Sequence, residues 1–286
     1  MFEGKTIWLA ANTASGSNRE AALETLEEAL AEAACTITRR IEFVEEGVSG
    51  LSELRRGDVD VLVVFAGDGT ANALVTRLYG WEGAVLVLPG GTMNILAQRL
   101  HGEGDAAAII AQVAAGRVHR ARPVVARSRF GDALAGIITG PGTAWAEVRE
   151  ALRETDIVGT FRSAAGAISE SSTGAKVACR EPVCGRSDGY SAIQITPTSL
   201  GLAVEGYFAE TFGDYAKQGI ALLRRNFRKG PHDALGRYPW VQLACPQGEA
   251  MGLLIDGEPC ECGAASEETF NMARCEVDLL ATANER

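Results

Sequence analysis

"VVFAGDGTANAL" (residues 63–74) carries an apolar segment into a glycine-rich turn, with an acid, Asp68, between Gly67 and Gly69. The apolar part, VDVLVVFA at 59–66, is continuous, which marks a strand covered on both faces. Parallel strands of that kind present ligands at their carboxyl ends, in the crevice where the sheet order switches. Gly67 and Gly69 permit backbone angles and close approaches that a β-carbon would block. Thr70 is placed to cap a helix over about 70–79, whose first amides would face the crevice. Exposed amides at a helix start suit a phosphate. An acid beside phosphates is unfavourable unless a cation lies between them or a hydroxyl donor needs orienting. A magnesium–nucleotide complex meets that condition, because Mg²⁺ commonly uses one or two carboxylates plus phosphate oxygens.

Two further turns repeat the design. LPGGTMNILAQRL (88–100) leaves a strand through Pro89, Gly90 and Gly91 and starts a helix after Thr92. NTASGSN (12–18) follows the first strand with Ser15, Gly16 and Ser17. Loops after strands are commonly small and polar, so one such turn says little. Three of them, one holding an acid, point to a phosphate-binding crevice. The P-loop pattern, with Lys after the second Gly, is absent, and the dinucleotide fingerprint fails because Asn72 stands at its third glycine position. Hydride transfer is thereby disfavoured.

Outward from these turns, the first ~120 residues alternate between strand and helix patterns, as in stacked βα units. KTIWLAAN (5–12), CTITRRIEF (35–43) and AVLVLP (84–89) read as strands. NREAALETLEEALAEAA (18–34) reads as a helix, GLSELRRG (50–57) as a short helix or turn, and 93–100 and 105–115 as further helices. Beyond GRVHRARP (116–123) glycines, β-branched residues and turn signals become dense. VVARSRFGDALAGIITG (124–140) reads as two strands across a Gly131–Asp132 turn, and AWAEVREALRE (144–154) has helical character. YSAIQITP (190–197), LGLAVEGYFAE (200–210), WVQLACP (240–246) and MGLLIDGEPCEC (251–262) read as strands. The expected fold is an α/β nucleotide-binding domain at 1–122 and a β-rich, β-sandwich-like domain at 123–286, with the last residues free to return to the first.

At 286 residues the chain is long enough for one large domain or two modest ones. A net charge of −10 disfavours a general nucleic-acid binder. One local basic segment, RRNFRKGPH at 224–232, reads as a solvated surface, with contact to anionic lipid headgroups as the sharper alternative. Seven cysteines are an odd, scattered set that does not form a secreted disulfide framework, and the three histidines lack ligand spacing. No stretch reads as a bilayer span or a secretory leader, so a cytoplasmic protein is expected. The sequence does not indicate an oligomeric state.

FAGDGTANAL followed by LPGGTMNILAQRL resembles the diacylglycerol kinase catalytic-domain family, in particular the bacterial soluble lipid kinases, relatives of sphingosine, ceramide and NAD kinases. Asn12 to Gly16 approximates that family's opening Asn-Pro-x-Ser-Gly, and Asp256, Gly257 and Glu258 match its late Asp-Gly-Glu. The resemblance implies an ATP- and Mg²⁺-dependent kinase for a hydroxyl of a diacylglycerol-like or sphingoid lipid, met at a membrane surface by a cytoplasmic or peripheral protein. It implies that Ala66, Gly67, Asp68, Gly69, Thr70 and Asn72 line the nucleotide phosphates, with Asp68 near the metal. Asn12, Ser15 and Thr92 complete the nucleotide site, and Glu258 takes the proton of the lipid hydroxyl. Ala66 replaces the first motif glycine, Ile95 replaces the usual acid after Asn94, and Glu205–Gly206 stands where many bacterial members have an Asp-Gly tied to a structural magnesium. That metal site is not carried over. An NAD kinase-like enzyme and a catalytically impaired nucleotide- or lipid-binding protein are the alternative readings.

Overall fold

The computed structural model describes residues 2, 4–11, 19–42, 50–91, 93–141, 176–208 and 232–284. The chain divides into two compact units, one of Met1–Pro123 with Arg274–Arg286 and one of Val124–Ala273.

The first unit opens with β1 (Ile7–Ala11), buried along its whole length. Helix α1 (Arg19–Glu32), β2 (Ile37–Glu42) and the short α2 (Leu51–Arg56) follow. Next come β3 (Val61–Ala66), α3 (Asp68–Arg77), β4 (Ala84–Pro89), α4 (Ile95–His101), α5 (Ala106–Ala114) and β5 (His119–Ala121). Strands β3 and β4 are apolar runs without alternation, because helices cover both of their faces. Leu26 and Leu30, one helical turn apart on α1, pack with Ile109, Ile110 and Val113 of α5 against Ile7, Leu9, Val61, Val63, Leu86 and Leu88 of the sheet. Both β2 and β3 pair with β1 in parallel, and β4 pairs with β3. The chain thus leaves β1 on one side and returns on the other, which makes a switch point between β1 and β3. The register sets Ala11 beside Phe65 and Ala66 beside Pro89, so the carboxyl ends of these three strands lie level.

The second unit is built from β6 (Val124–Ser128), β7 (Gly131–Ala133), β8 (Ile137–Pro141), β9 (Ala178–Glu181), β10 (Ala192–Thr198) and β11 (Gly201–Tyr207). It continues with β12 (His232–Tyr238), β13 (Trp240–Ala244), β14 (Met251–Ile255), β15 (Glu258–Glu261) and β16 (Glu268–Arg274). One sheet runs β12-β11-β10-β8-β14-β15 and the other β7-β6-β16-β13-β9. Ile193, Ile195, Val204 and Leu253 of the first share one core with Ala126, Val241, Leu243 and Phe270 of the second, so this unit is a β-sandwich. The Gly131–Asp132 turn is misplaced in the sequence reading. The turn falls at Arg129–Phe130, and Gly131 opens β7 at φ +123°. Asp132 is then drawn inward, where Arg127 clamps it bidentately, Nε and Nη2 each donating to one carboxylate oxygen at 2.8 Å.

The chain finally returns to the first unit as β17 (Asp278–Ala281), parallel to β4 and antiparallel to β5. Strands β5, β9, β12, β16 and β17 go unmarked in the sequence. The helical reading of 144–154 and all of the basic segment but His232 lie outside the described residues.

Candidate nucleotide site

The two glycine turns at the ends of β3 and β4 are pressed backbone to backbone. The Gly90 amide donates to the Ala66 carbonyl at 3.2 Å. A β-carbon on Gly90 would stand 2.6 Å from Ala66 N and 2.8 Å from Phe65 C, and one on Gly91 would stand 2.5 Å from Gly67 Cα. The neighbours are main chain and cannot step aside, so glycine at 90 and 91 is set by packing of turn on turn. Gly67 itself has an ordinary extended backbone, φ −76° and ψ 170°.

Helix α3 starts at Asp68, two residues earlier than the sequence reading, and Gly67 caps it with no side-chain hydrogen bond. Thr70 therefore lies inside the first turn and is not the cap. An extended glycine can make the turn by itself, so no hydroxyl is needed there. Asp68, in that first turn, has a different task. Its carboxylate accepts from the Ile95 amide at 3.1 Å and the Leu96 amide at 2.9 Å, the first two amides of α4. Asp68 thus caps a helix it does not belong to, and in doing so it ties the two turns together. Burial pushes its pKa above the usual carboxylate value, while the main-chain amides of Leu96, Ile95 and Asn94 act in the opposite direction.

Asn94 explains why α4 needs this help. It sits at the N-cap position in the left-handed region, φ 54°, where Asn is among the few tolerated side chains. Its side chain is turned back on the loop, with Oδ1 accepting from Gly91 N at 2.7 Å and Nδ2 donating to Gly91 O at 2.8 Å. Helix α4 consequently begins at Ile95 and not near 93. At its other end, the buried His101 ring bridges the Val87 carbonyl of β4 at 3.0 Å and Thr282 Oγ1 at 3.1 Å.

The structure therefore brings together Ala66, Gly67, Asp68, Gly69, Thr70 and Asn72 of the first motif with the second turn. Asn12, Ser15 and Thr92 lie outside the described residues. Glu258 belongs to the other unit. It is exposed and faces Ile255 across the β14–β15 hairpin, whose turn is Asp256–Gly257 at φ 49° and 92°. Asp256 is 7% exposed, and its carboxylate accepts from the amides of Leu134, Ala135 and Gly136 at 2.7, 2.9 and 2.8 Å. This fixes the hairpin against the β7–β8 connection and leaves Glu258 outside it. The loop-closing role of Asn94 and the anchor at Asp256 were missed from sequence. An Asn three residues after a Gly and just before a helix was the readable signal for the former.

The family model described as diacylglycerol kinase catalytic domain matches residues 6–126. That match contains both glycine turns. A crystal structure of a diacylglycerol kinase from Bacillus anthracis strain Sterne aligns with TM-score 0.61 at 13% identity, covering 97% of each chain. A second structure from that strain, titled as a candidate enzyme of the same kind, aligns with TM-score 0.60 at 13% identity, again over 97% of each. At such identity the likeness shows a shared fold, and it extends through both units. A yeast NADH kinase aligns at 12% identity with TM-score 0.48, too low to carry an argument. No curated protein matches the sequence. Among the described residues no helix is long and apolar enough to cross a membrane.

Proposed function

We propose that the chain is an ATP-dependent lipid kinase that phosphorylates a hydroxyl of a diacylglycerol-like or sphingoid lipid. The observation that carries this reading is the fused pair of glycine turns at the level ends of β3 and β4, in a stretch that the diacylglycerol kinase catalytic-domain model matches. The triphosphate is held at the start of α3, through main-chain amides of residues 67–70 and the dipole of that helix. Thr92, Asn12 and Ser15 complete the contacts, and Asn72 supports the loop. The donor set fits a magnesium ion that arrives on the nucleotide: one carboxylate, Asp68, stands beside amides suited to phosphate oxygens. Bound there, the ion would neutralise charge on the phosphate oxygens during transfer. The acyl chains are taken by the β-sandwich unit, and the protein works at a membrane surface.

Glu258 acts as the base. It accepts the proton of the lipid hydroxyl while the lipid oxygen bonds to the γ-phosphorus, and the bond from that phosphorus to the β–γ bridging oxygen breaks to release ADP. Its exposed position past a firmly anchored turn suits a group that must reach a substrate. The test is transfer from labelled ATP with magnesium to a panel of lipids and to NAD. Lipid phosphate from the wild type, a loss of about 10²–10⁴-fold in Glu258→Gln, and unchanged ATP affinity in that variant are expected. Transfer to NAD alone would establish the dinucleotide reading. ATP binding with no transfer to any acceptor would establish the impaired one.

A further inference from the structure

We propose that one end of the β-sandwich unit is a membrane-docking surface, which sets Val183, Leu200 and Trp240 into a bilayer that carries anionic phospholipid. The choice of a bilayer as occupant rests on the lipid-kinase reading.

The strand ladders bring the three residues to that end. Strands β11 and β12 pair as far as Leu202–Tyr238. Leu200 stands two residues before Leu202, and Trp240 two residues after Tyr238. On its other side β13 pairs with β9, at Gln242–Glu181. Trp240 stands two residues before Gln242, and Val183 two residues after Glu181. Leu200 and Val183 thus reach the Trp240 end of the unit from two different strands. Val183 is 84% exposed, Leu200 76% and Trp240 36%, and these are the large apolar side chains that stand exposed among the described residues. One exposed apolar side chain is ordinary, but their gathering at one end of one unit marks an interaction surface. The Leu200 turn is braced. Thr198 Oγ1 accepts from the Leu200 amide at 3.3 Å and donates to the Gly201 carbonyl at 2.7 Å. A β-carbon on Gly201 would stand 3.0 Å from the Tyr238 carbonyl oxygen, so the turn is pressed against β12 with Leu200 outward.

Charge and position select a bilayer. Segments 180–183, 198–202 and 237–240 hold two exposed cations, Arg180 and Arg237, against one acid, Glu181, in a chain of net charge −10. Basic side chains beside apolar tips suit anionic headgroups, and an indole suits the level between headgroups and acyl chains. Side chains that project singly from turns enter a fluid surface without a matching pocket. The same end of the unit carries Glu258. Ile137 pairs with both Ile195 and Ile255, and Ile255 faces Glu258. From Ile195, β10 runs on to Thr198 and the Leu200 turn. A lipid that keeps its acyl chains in the bilayer presents its hydroxyl at headgroup level, on the side of the unit where the proposed base lies.

The test sediments the full chain with vesicles of phosphatidylcholine and phosphatidylglycerol, without nucleotide or acceptor. Binding that weakens with salt is expected. Leu200→Gln and Val183→Gln, both at exposed positions, should each lower it about tenfold. Arg180→Gln and Arg237→Gln should each lower it about fivefold with phosphatidylglycerol present and leave it unchanged with phosphatidylcholine alone. Brominated acyl chains should quench tryptophan emission in the wild type and not in Trp240→Phe, since Trp8 and Trp81 are 7% and 3% exposed. A wild type that stays in solution, variants that bind as the wild type does, or quenching that survives Trp240→Phe overturns the proposal. So does an oligomer that forms without vesicles and is dissociated by Leu200→Gln, which gives the surface to a second copy of the chain. Transfer to a water-soluble short-chain diacylglycerol, without vesicles, tests the kinase reading separately. A chain that transfers there but ignores vesicles loses the docking surface alone. One that binds vesicles through these residues and phosphorylates no lipid keeps the surface and loses the kinase reading.

Discussion

Acidification should weaken the first unit through one ring, that of His101. The side chain is 6% exposed, with Nε2 at 3.0 Å from the Val87 carbonyl and Nδ1 at 3.1 Å from Thr282 Oγ1. A carbonyl only accepts, so Nε2 carries the proton and Nδ1 accepts from the threonine hydroxyl. Burial pushes the ring down to about 4 from an ordinary 6.5, with the Val87 bond opposing. Below about pH 6.5 the unfolded chain binds a proton that the folded chain refuses. The stabilising contribution is complete above that pH and is lost as the pH falls toward the folded value. Each pH unit within the window costs about 1.4 kcal/mol, so the loss is about 2 kcal/mol at pH 5 and about 3 kcal/mol across the window. The assay is urea unfolding of the wild type and of His101→Gln at a series of pH values. The amide can donate and accept but does not titrate, and the other titrating groups cancel in the difference. The wild type should lose about 2 kcal/mol more than the variant between neutral pH and pH 5. Parallel curves, or an NMR titration of the ring centred near 6.5, would refute the reasoning.

Two perturbations at the glycine turns follow from their geometry. Gly91→Ala places a β-carbon 2.5 Å from Gly67 Cα, backbone against substituent, and should cost about 1–3 kcal/mol in thermal or urea stability together with ATP affinity by calorimetry. Asp68→Ala leaves the Ile95 and Leu96 amides without their acceptor. It should cost about 1–3 kcal/mol and speed hydrogen exchange at those two amides, a readout that loss of a metal ligand alone would not move.

The legible parts of this fold are those where a local pattern and its burial coincide. AVLVLP is a strand over its whole predicted length, Ala84–Pro89, because both of its faces are covered. MGLLIDGEPCEC is a hairpin about Asp256–Gly257, because that pair takes the two positive φ angles the turn requires. The unread strands lack such coincidence. HDALGRY of β12 is half-buried to exposed along its length and has little apolar alternation. DLLA of β17 is four residues long, and its place between β4 and β5 is a matter of tertiary pairing. From sequence alone, the turns are glycine-rich for the sake of a ligand. The structure gives Gly90 and Gly91 a reason that needs none, the contact with Ala66 and Gly67. Pairing of that kind, twenty-odd residues apart in sequence, has no periodic signature.

The two helix starts at this site are not equivalent. Asp68 satisfies the first two amides of α4 and places a carboxylate at the positive end of its dipole. An incoming phosphate would have to displace that carboxylate to use α4. Helix α3 has no side chain at its cap, and Gly67, extended and lacking a β-carbon, leaves its approach narrow but unblocked from that residue. On the proposed reading a triphosphate would therefore use α3, while α4 is consumed in holding the second turn against the first. The acid between the two glycines acts first as a clamp. Any cation it serves must be reached by the lone pairs that the Ile95 and Leu96 amides leave over, which is the condition of an ion bound mainly by the nucleotide's own oxygens.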